Sequence, residues 1–197
     1  MRASRSAAGT GKRRRKAAAE PRGRRQGGAA ASAQPSARPR TRSTVVGVIS
    51  DTHGLVRPEA LAALRGVDTI VHAGDIGGPE VLAALARVAP VVAVRGNNDR
   101  GSWARAVPTR ASIEIGGARL YVLHDRNELQ FDPEPAGYAA VIAGHSHRPS
   151  LERRGTVLFV NPGSAGPRRF TLPVSTARLR VAGGRVRGKL VPLHLHP

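Results

Sequence analysis

From residue 44 onward, short apolar runs alternate with polar breaks. Val45-Val46-Gly47-Val48-Ile49 is continuously apolar and stops at Ser50-Asp51, the pattern of a strand buried on both faces. Residues 58–64 predict a short helix, with Pro58 in its first turn, Glu59 near the positive end of the dipole, and Leu61 and Leu64 on one side. Thr69-Ile70-Val71-His72 predicts a second strand. Gly77-Gly78-Pro79 opens a second helix, with Val81, Leu82, Leu85 and Val88 at helical spacing, and residues 91–94 form a third strand. This alternation predicts parallel βαβ units. Right-handed crossovers then bring the three strand ends to one edge, where sites form in open α/β sheets.

The second half follows a different pattern. Residues 111–115 and 118–123 flank Gly116-Gly117 and predict a β-hairpin. Residues 139–143 and 156–160 predict two more strands, and 175–180 with 186–191 a closing hairpin around Gly183-Gly184. The expected fold is α/β: two packed mixed β-sheets flanked by helices, the first sheet the more parallel. No internal repeat is evident.

Charge divides the chain in two. Residues 1–43 carry 13 basic side chains against Glu20 alone, whereas residues 44–197 carry 19 basic and 12 acidic. The first segment lacks large apolar side chains and is expected to be a disordered basic tail, since it cannot offset its chain entropy by burial. The reading adopted for it is a non-functional extension, with the true start downstream. The alternative is an arm making non-specific contact with nucleic acid or an anionic surface, centred on Lys12-Arg13-Arg14-Arg15-Lys16. A transit peptide is the weaker option. Residues 44–197 are expected to form the folded domain. There is no Cys, so disulfide and thiolate sites are excluded. No apolar stretch approaches the roughly 20 residues of a membrane span, no apolar segment follows the basic N-terminus as in a signal peptide, and a cytoplasmic location is expected.

Five segments that follow apolar runs carry residues suited to metal chemistry: Asp51-Thr52-His53, Gly74-Asp75, Gly96-Asn97-Asn98-Asp99, Leu123-His124 and Gly144-His145-Ser146-His147. Each alone is weak, because Gly-Asp and Asn-Asn-Asp also serve as turns. Together they place seven potential ligands (Asp51, His53, Asp75, Asn97, His124, His145 and His147) at successive strand ends, on what is expected to be one edge of one sheet. A cation that activates water needs such ligands held on rigid elements. His72, within a strand, is read as packing or as support for a neighbour; His194 and His196 are read as solvent-facing. Trp103 is placed in a loop.

These segments, with Asn161-Pro162-Gly163-Ser164, resemble the calcineurin-like metallophosphoesterase superfamily over about residues 44–192. The short form fits best: small bacterial and archaeal phosphodiesterases related to the retromer scaffold subunit. The resemblance implies a four-layer αββα sandwich and a dinuclear site. Asp51, His53, Asp75 and His147 would hold one ion, and Asp75, Asn97, His124 and His145 the other. Asp75 and a hydroxide would bridge them, the hydroxide attacking phosphorus. Asp99 would orient a neighbour. Catalysis would then rest on Asp75, Asn97, Asp99 and His124. Mn²⁺ is favoured, with Fe²⁺, Zn²⁺ or Ni²⁺ as alternatives for this mixed ligand set.

The implied function is metal-dependent hydrolysis of small phosphodiesters. The alternatives are a non-catalytic protein-binding scaffold of the same fold, a phosphomonoesterase or nucleotide hydrolase, and a nucleic-acid-binding protein dominated by its basic arm. Two positions depart from the family. Asn98 stands where many members have a His proposed as general acid, and Asp125 follows His124 where Gly is usual. Asp125 would either bind the free nitrogen of His124 or repel an anionic substrate. Asn161-Pro162-Gly163-Ser164 is read as a turn, with backbone N–H groups lining the site as the alternative. Arg126, Asn127, Arg168 and Arg169 are candidate phosphate contacts.

Overall fold

The computed structural model describes residues 43–195. The expectation of a disordered tail therefore falls, but for Ser43, outside the described residues, as does His196. Ten strands and three short helices follow in the order β1 (Thr44–Ile49), α1 (Pro58–Ala63), β2 (Thr69–Ala73), α2 (Pro79–Ala86), β3 (Val91–Val94), α3 (Ser102–Arg105), β4 (Arg110–Ile115), β5 (Ala118–Leu123), β6 (Ala140–Ile142), β7 (Ser150–Arg154), β8 (Val157–Asn161), β9 (Ser175–Ala182) and β10 (Arg185–Pro192). A 3-10 turn spans Arg126–Glu128.

The strands form two five-stranded sheets, ordered β10-β9-β1-β2-β3 and β4-β5-β6-β8-β7. In the first, β1, β2 and β3 run parallel and β9 pairs antiparallel with β1. In the second, β5, β6 and β8 run parallel, with β4 and β7 antiparallel at the edges. The two sheets are therefore equally mixed; the first is not the more parallel. The reason is that residues 124–139 and 143–156 act as crossovers without an α-helix, so the βαβ signal is missing from the sequence.

Between the sheets lies one apolar core, with Val46, Val48, Val71 and Leu179 facing Leu120, Val122, Ile142 and Val160. Each such side chain contributes about 1.5–3 kcal/mol when fully buried. A second cluster joins Ile49 and Ile70 to Leu64 of the α1 C-cap and to Val81 and Leu85 of α2, so these helices cover the outer side of β1–β3. Trp103 sits in α3 and packs on this cluster, not in a loop. The outer side of the second sheet carries Leu123, Val141, Val157 and Phe159, covered partly by Leu129. The fourth layer there is the 3-10 turn and its flanking loop.

The Gly116-Gly117 and Gly183-Gly184 turns have positive φ at both residues, which primed hairpin turns require. Their tips meet, Gly184 N donating to Gly116 O at 3.2 Å. The sandwich is thus stitched at one end, opposite the edge where β1, β2 and β3 terminate.

Candidate metal centre

All seven candidate ligands lie at strand ends on one edge, but of two sheets rather than one. Asp51, His53, Asp75 and Asn97 follow β1, β2 and β3, while His124, His145 and His147 follow β5 and β6. Hydrogen bonds zip the loops together: Asp51 N to Gly74 O at 2.9 Å, His53 N to Asp75 O at 2.9 Å, and Gly144 N to His124 O at 2.9 Å.

Asp51, His53, Asp75, His145 and His147 all have positive φ. Among the described residues Phe170 is the only other non-glycine residue to do so. Such backbone costs of order 1–3 kcal/mol per residue and persists where the surroundings over-determine it. Here it turns successive side chains inward. The glycines beside the ligands leave room: a Cβ on Gly96 would lie 2.1 Å from Asp75 Oδ1, and one on Gly74 would lie 2.5 Å from His124 Nδ1.

Two groups form around Asp75. In the first, His147 Nε2 is 3.2 Å from Asp51 Oδ1 and 3.4 Å from His53 Nε2. In the second, His124 Nε2 is 3.4 Å from Asp75 Oδ2, and His145 Nδ1 is 3.2 Å from Asn97 Oδ1. The His124 and His145 rings stand perpendicular, 5.2 Å apart. Asp75 Oδ2 is also 3.9 Å from His53 Nε2, so one carboxylate oxygen faces imidazoles of both groups.

The donor set fits divalent cations. Asp51 Oδ1 and His124 Nε2 are buried and make no hydrogen bond, although an unsatisfied buried polar atom costs about 1–3 kcal/mol. The other atoms of these side chains are committed. Asp51 Oδ2 accepts from Ser50 Oγ at 2.6 Å and from His145 N at 3.2 Å, while His124 Nδ1 donates to Ala73 O at 2.7 Å, leaving Nε2 unprotonated in the neutral ring. Orienting a ligand imidazole through its other nitrogen is a recurrent feature of metal sites.

Electrostatics hold Asp75 ionised and draw a proton towards His124, a proton that a bound cation would replace. Burial would raise the Asp75 carboxyl, but His124 and the two donors of Asn98 outweigh it and hold it well below the usual carboxylate range. Burial would lower His124, but Asp75 and the Ala73 carbonyl push it up. His53 is lowered, chiefly by burial, and the cation of Arg169 adds to that.

Other sequence-selected residues find definite places. Asp99 accepts from Gly77 N and Gly96 N, both at 2.8 Å, and so braces the loops that carry Asp75 and Asn97. Asn98 donates from Nδ2 to Asp75 Oδ2 at 2.6 Å and from its backbone N to Asp75 Oδ1 at 2.9 Å. Asp125 does not reach the free nitrogen of His124; its Oδ2 lies 3.7 Å from His145 Nε2. Asn161 and Ser164 do more than turn the chain. Asn161 Nδ2 donates to Gly144 O at 2.7 Å and Ser164 Oγ donates to Asp51 O at 2.9 Å, supporting two ligand loops. Arg126 pairs with Glu152 at 3.0 Å and lines, with Asp125, Asn127, His145 and Phe159, a cleft of about 280 Å³ beside the centre. Arg168 is elsewhere, against Leu172 O, and His194 is exposed.

The chain matches the calcineurin-like phosphoesterase superfamily domain over residues 45–184, and it belongs to that family. A probable metallophosphoesterase of Methanothermobacter thermautotrophicus is 34% identical over 159 residues, covering 75% of this chain and 91% of the relative. Among solved structures, an archaeal phosphodiesterase superposes with a TM-score of 0.63 at 24% identity, over 75% of this chain and all of that one. Vps29 of Entamoeba histolytica (a D62A mutant, in its own numbering) superposes at 0.60 with 23% identity, over 77% of this chain and 100% of its own. At these identities the solved structures show the fold alone.

Proposed function

We propose that the chain is a phosphodiesterase acting on small phosphodiesters with two divalent cations, Mn²⁺ being favoured, in the cytoplasm. The observation that carries this reading is the pair of buried candidate ligand atoms that make no hydrogen bond, Asp51 Oδ1 and His124 Nε2, on either side of Asp75. Asp51, His53, His147 and Asp75 would hold one ion, and Asp75, Asn97, His124 and His145 the other. When bound, the ions acidify a water to serve as nucleophile and neutralise charge on the phosphoryl oxygens.

The chain's own groups do the rest. Asp75 stays ionised through Asn98 and His124, so it can join the two halves. Asp99, Ser50 and Asn161 hold the loops and so the ligand geometry. The cleft beside His145 offers room for the ester arm that departs, with Phe159 and Val141 as apolar lining and Asn127 and Ser146 as polar groups. Asn98 cannot deliver a proton near neutral pH, which favours leaving groups that depart without protonation. A complete ligand set argues against a purely scaffolding role.

The test is a panel of mono- and diesters, run on metal-loaded protein with its metal content measured. Two ions per chain and diester hydrolysis that disappears in Asp75→Ala are expected. A metal-loaded protein that hydrolyses no diester sinks the reading.

A further inference from the structure

The hairpin of β9 and β10 has two unlike faces. Its inner face, with Leu179, Val181 and Val186, is buried in the core. Its outer face carries Arg178, Arg180, Arg185, Arg187 and Lys189. The register sets Arg180 directly opposite Arg187, and Arg178 opposite Lys189. Like charges directly opposite destabilise a sheet. The Lys and Arg ion pairs among the described residues use Arg110, Arg126 and Arg154 and none of these five.

Arg178 has a structural duty, donating to Ala63 O at 2.8 Å and Arg65 O at 2.9 Å at the end of α1. Arg180 reaches Ser43 Oγ at 3.2 Å. Arg180, Arg185, Arg187 and Lys189 are exposed. α1 meets this face at Arg178, and the apolar cluster of the helices contains no residue of β9 or β10. Val45, Arg178, Arg180, Arg187, Gly188 and Lys189 line an open groove of about 560 Å³.

We propose that this face binds the sugar-phosphate backbone of nucleic acid, without sequence preference. Arg185, Arg187 and Lys189 repeat every second residue, about 6.8 Å apart. That is twice the roughly 3.4 Å axial spacing of phosphates along one strand of a duplex. The row of Arg178 and Arg180 runs alongside, about 4.8 Å away. No aromatic side chain lies on the face to stack on bases. An anionic membrane fits less well, since peripheral binding uses inserted apolar side chains. Among the described residues the exposed large hydrophobics, Leu55, Phe131 and Phe170, are on other segments.

The site is separate from the metal centre. Arg180 pairs with Val45, six residues before Asp51 and so about 20 Å away along β1.

The experiment is a fluorescence-anisotropy titration of a labelled ~20-base-pair duplex. It uses the full chain, metal-loaded, at about 50 to 200 mM salt. Arg180→Gln/Arg187→Gln should weaken binding about tenfold and reduce the salt slope by about 2. Arg87→Gln/Arg105→Gln, which removes the same charge elsewhere, should change binding less than twofold. Equal losses in the two variants, or none in the first, overturn the proposal. So does wild-type protein that binds phosphatidylserine vesicles but not the duplex. Should the first variant fail to fold, Arg187→Gln/Lys189→Gln on the edge strand is the replacement, read the same way.

Discussion

His72 Nε2 lies 2.8 Å from Thr52 Oγ1, and this contact joins the loop after β1 to the loop after β2 beneath the candidate ligands. His72 Nδ1 accepts from Gly74 N at 3.2 Å, so Nε2 carries the proton and donates to Thr52. Thr52 Oγ1 in turn donates to Ile76 O at 2.8 Å. The ring is fully buried and neutral, and burial lowers its pKa from 6.5 to about 4. An unfolded imidazole binds its proton near 6.5, so between those values the unfolded state holds more protons. Stability from this group is fully present above 6.5 and lost as pH falls through about 4. The full effect is about 3 kcal/mol. Denaturant unfolding of chelated protein across this range should show that loss, and His72→Gln should flatten it. A variant with the wild-type pH slope would refute the assignment.

Gly96 is expected to be intolerant of any side chain. A Cβ there meets Asp75 Oδ1 at 2.1 Å and Asp75 N at 2.4 Å. Gly96→Ala should displace the Asp75 carboxylate, lower the metal bound per chain and cost about 1–3 kcal/mol through overpacking. Metal stoichiometry and thermal melting measure the two effects separately.

Asp125 places a carboxylate 3.7 Å from His145, at the mouth of the adjoining cleft. Its charge opposes a dianionic monoester more than a monoanionic diester. Asp125→Asn is expected to raise kcat/KM for monoesters by about threefold to tenfold relative to diesters, a difference of about 1 kcal/mol. Paired aryl mono- and diester assays read that ratio directly.

Without an acid at position 98, aryl phosphodiesters should turn over faster than alkyl phosphomonoesters, by at least about tenfold. Asn98→His should narrow that gap from the alkyl side. Similar wild-type rates on both substrates would mean that a proton donor exists elsewhere in the site.

A chain beginning at Thr44 should keep its full kcat on a small diester, because all seven candidate ligands follow that residue. A lowered kcat would give residues 1–43 a catalytic role.

The candidate ligand segments are legible because each follows an apolar run whose end is visible in the sequence. The residues that support them are not, because their partners are remote. Ser164 meets Asp51, and Ser50 meets Gly163, across 113 residues in each case. No local pattern encodes such pairings. β7 was missed because Ser150–Arg154 reads SLERR, with a single apolar side chain. Trp103 looked like a loop residue because α3 is four residues long and starts without a side-chain cap. The division of ligands between two sheets was hidden for a further reason. Strand order depends on packing across the core, and every strand end there has the same chemistry.

That division gives the cations a mechanical part. Asp51, His53, Asp75 and Asn97 hang from one sheet; His124, His145 and His147 hang from the other. Ions seated among them would act as rivets at the mouth of the sandwich, while the two glycine turns clasp its far end. Stripping the metal should therefore let the layers part like a hinged book, and amide exchange should quicken along facing strands well below the pocket.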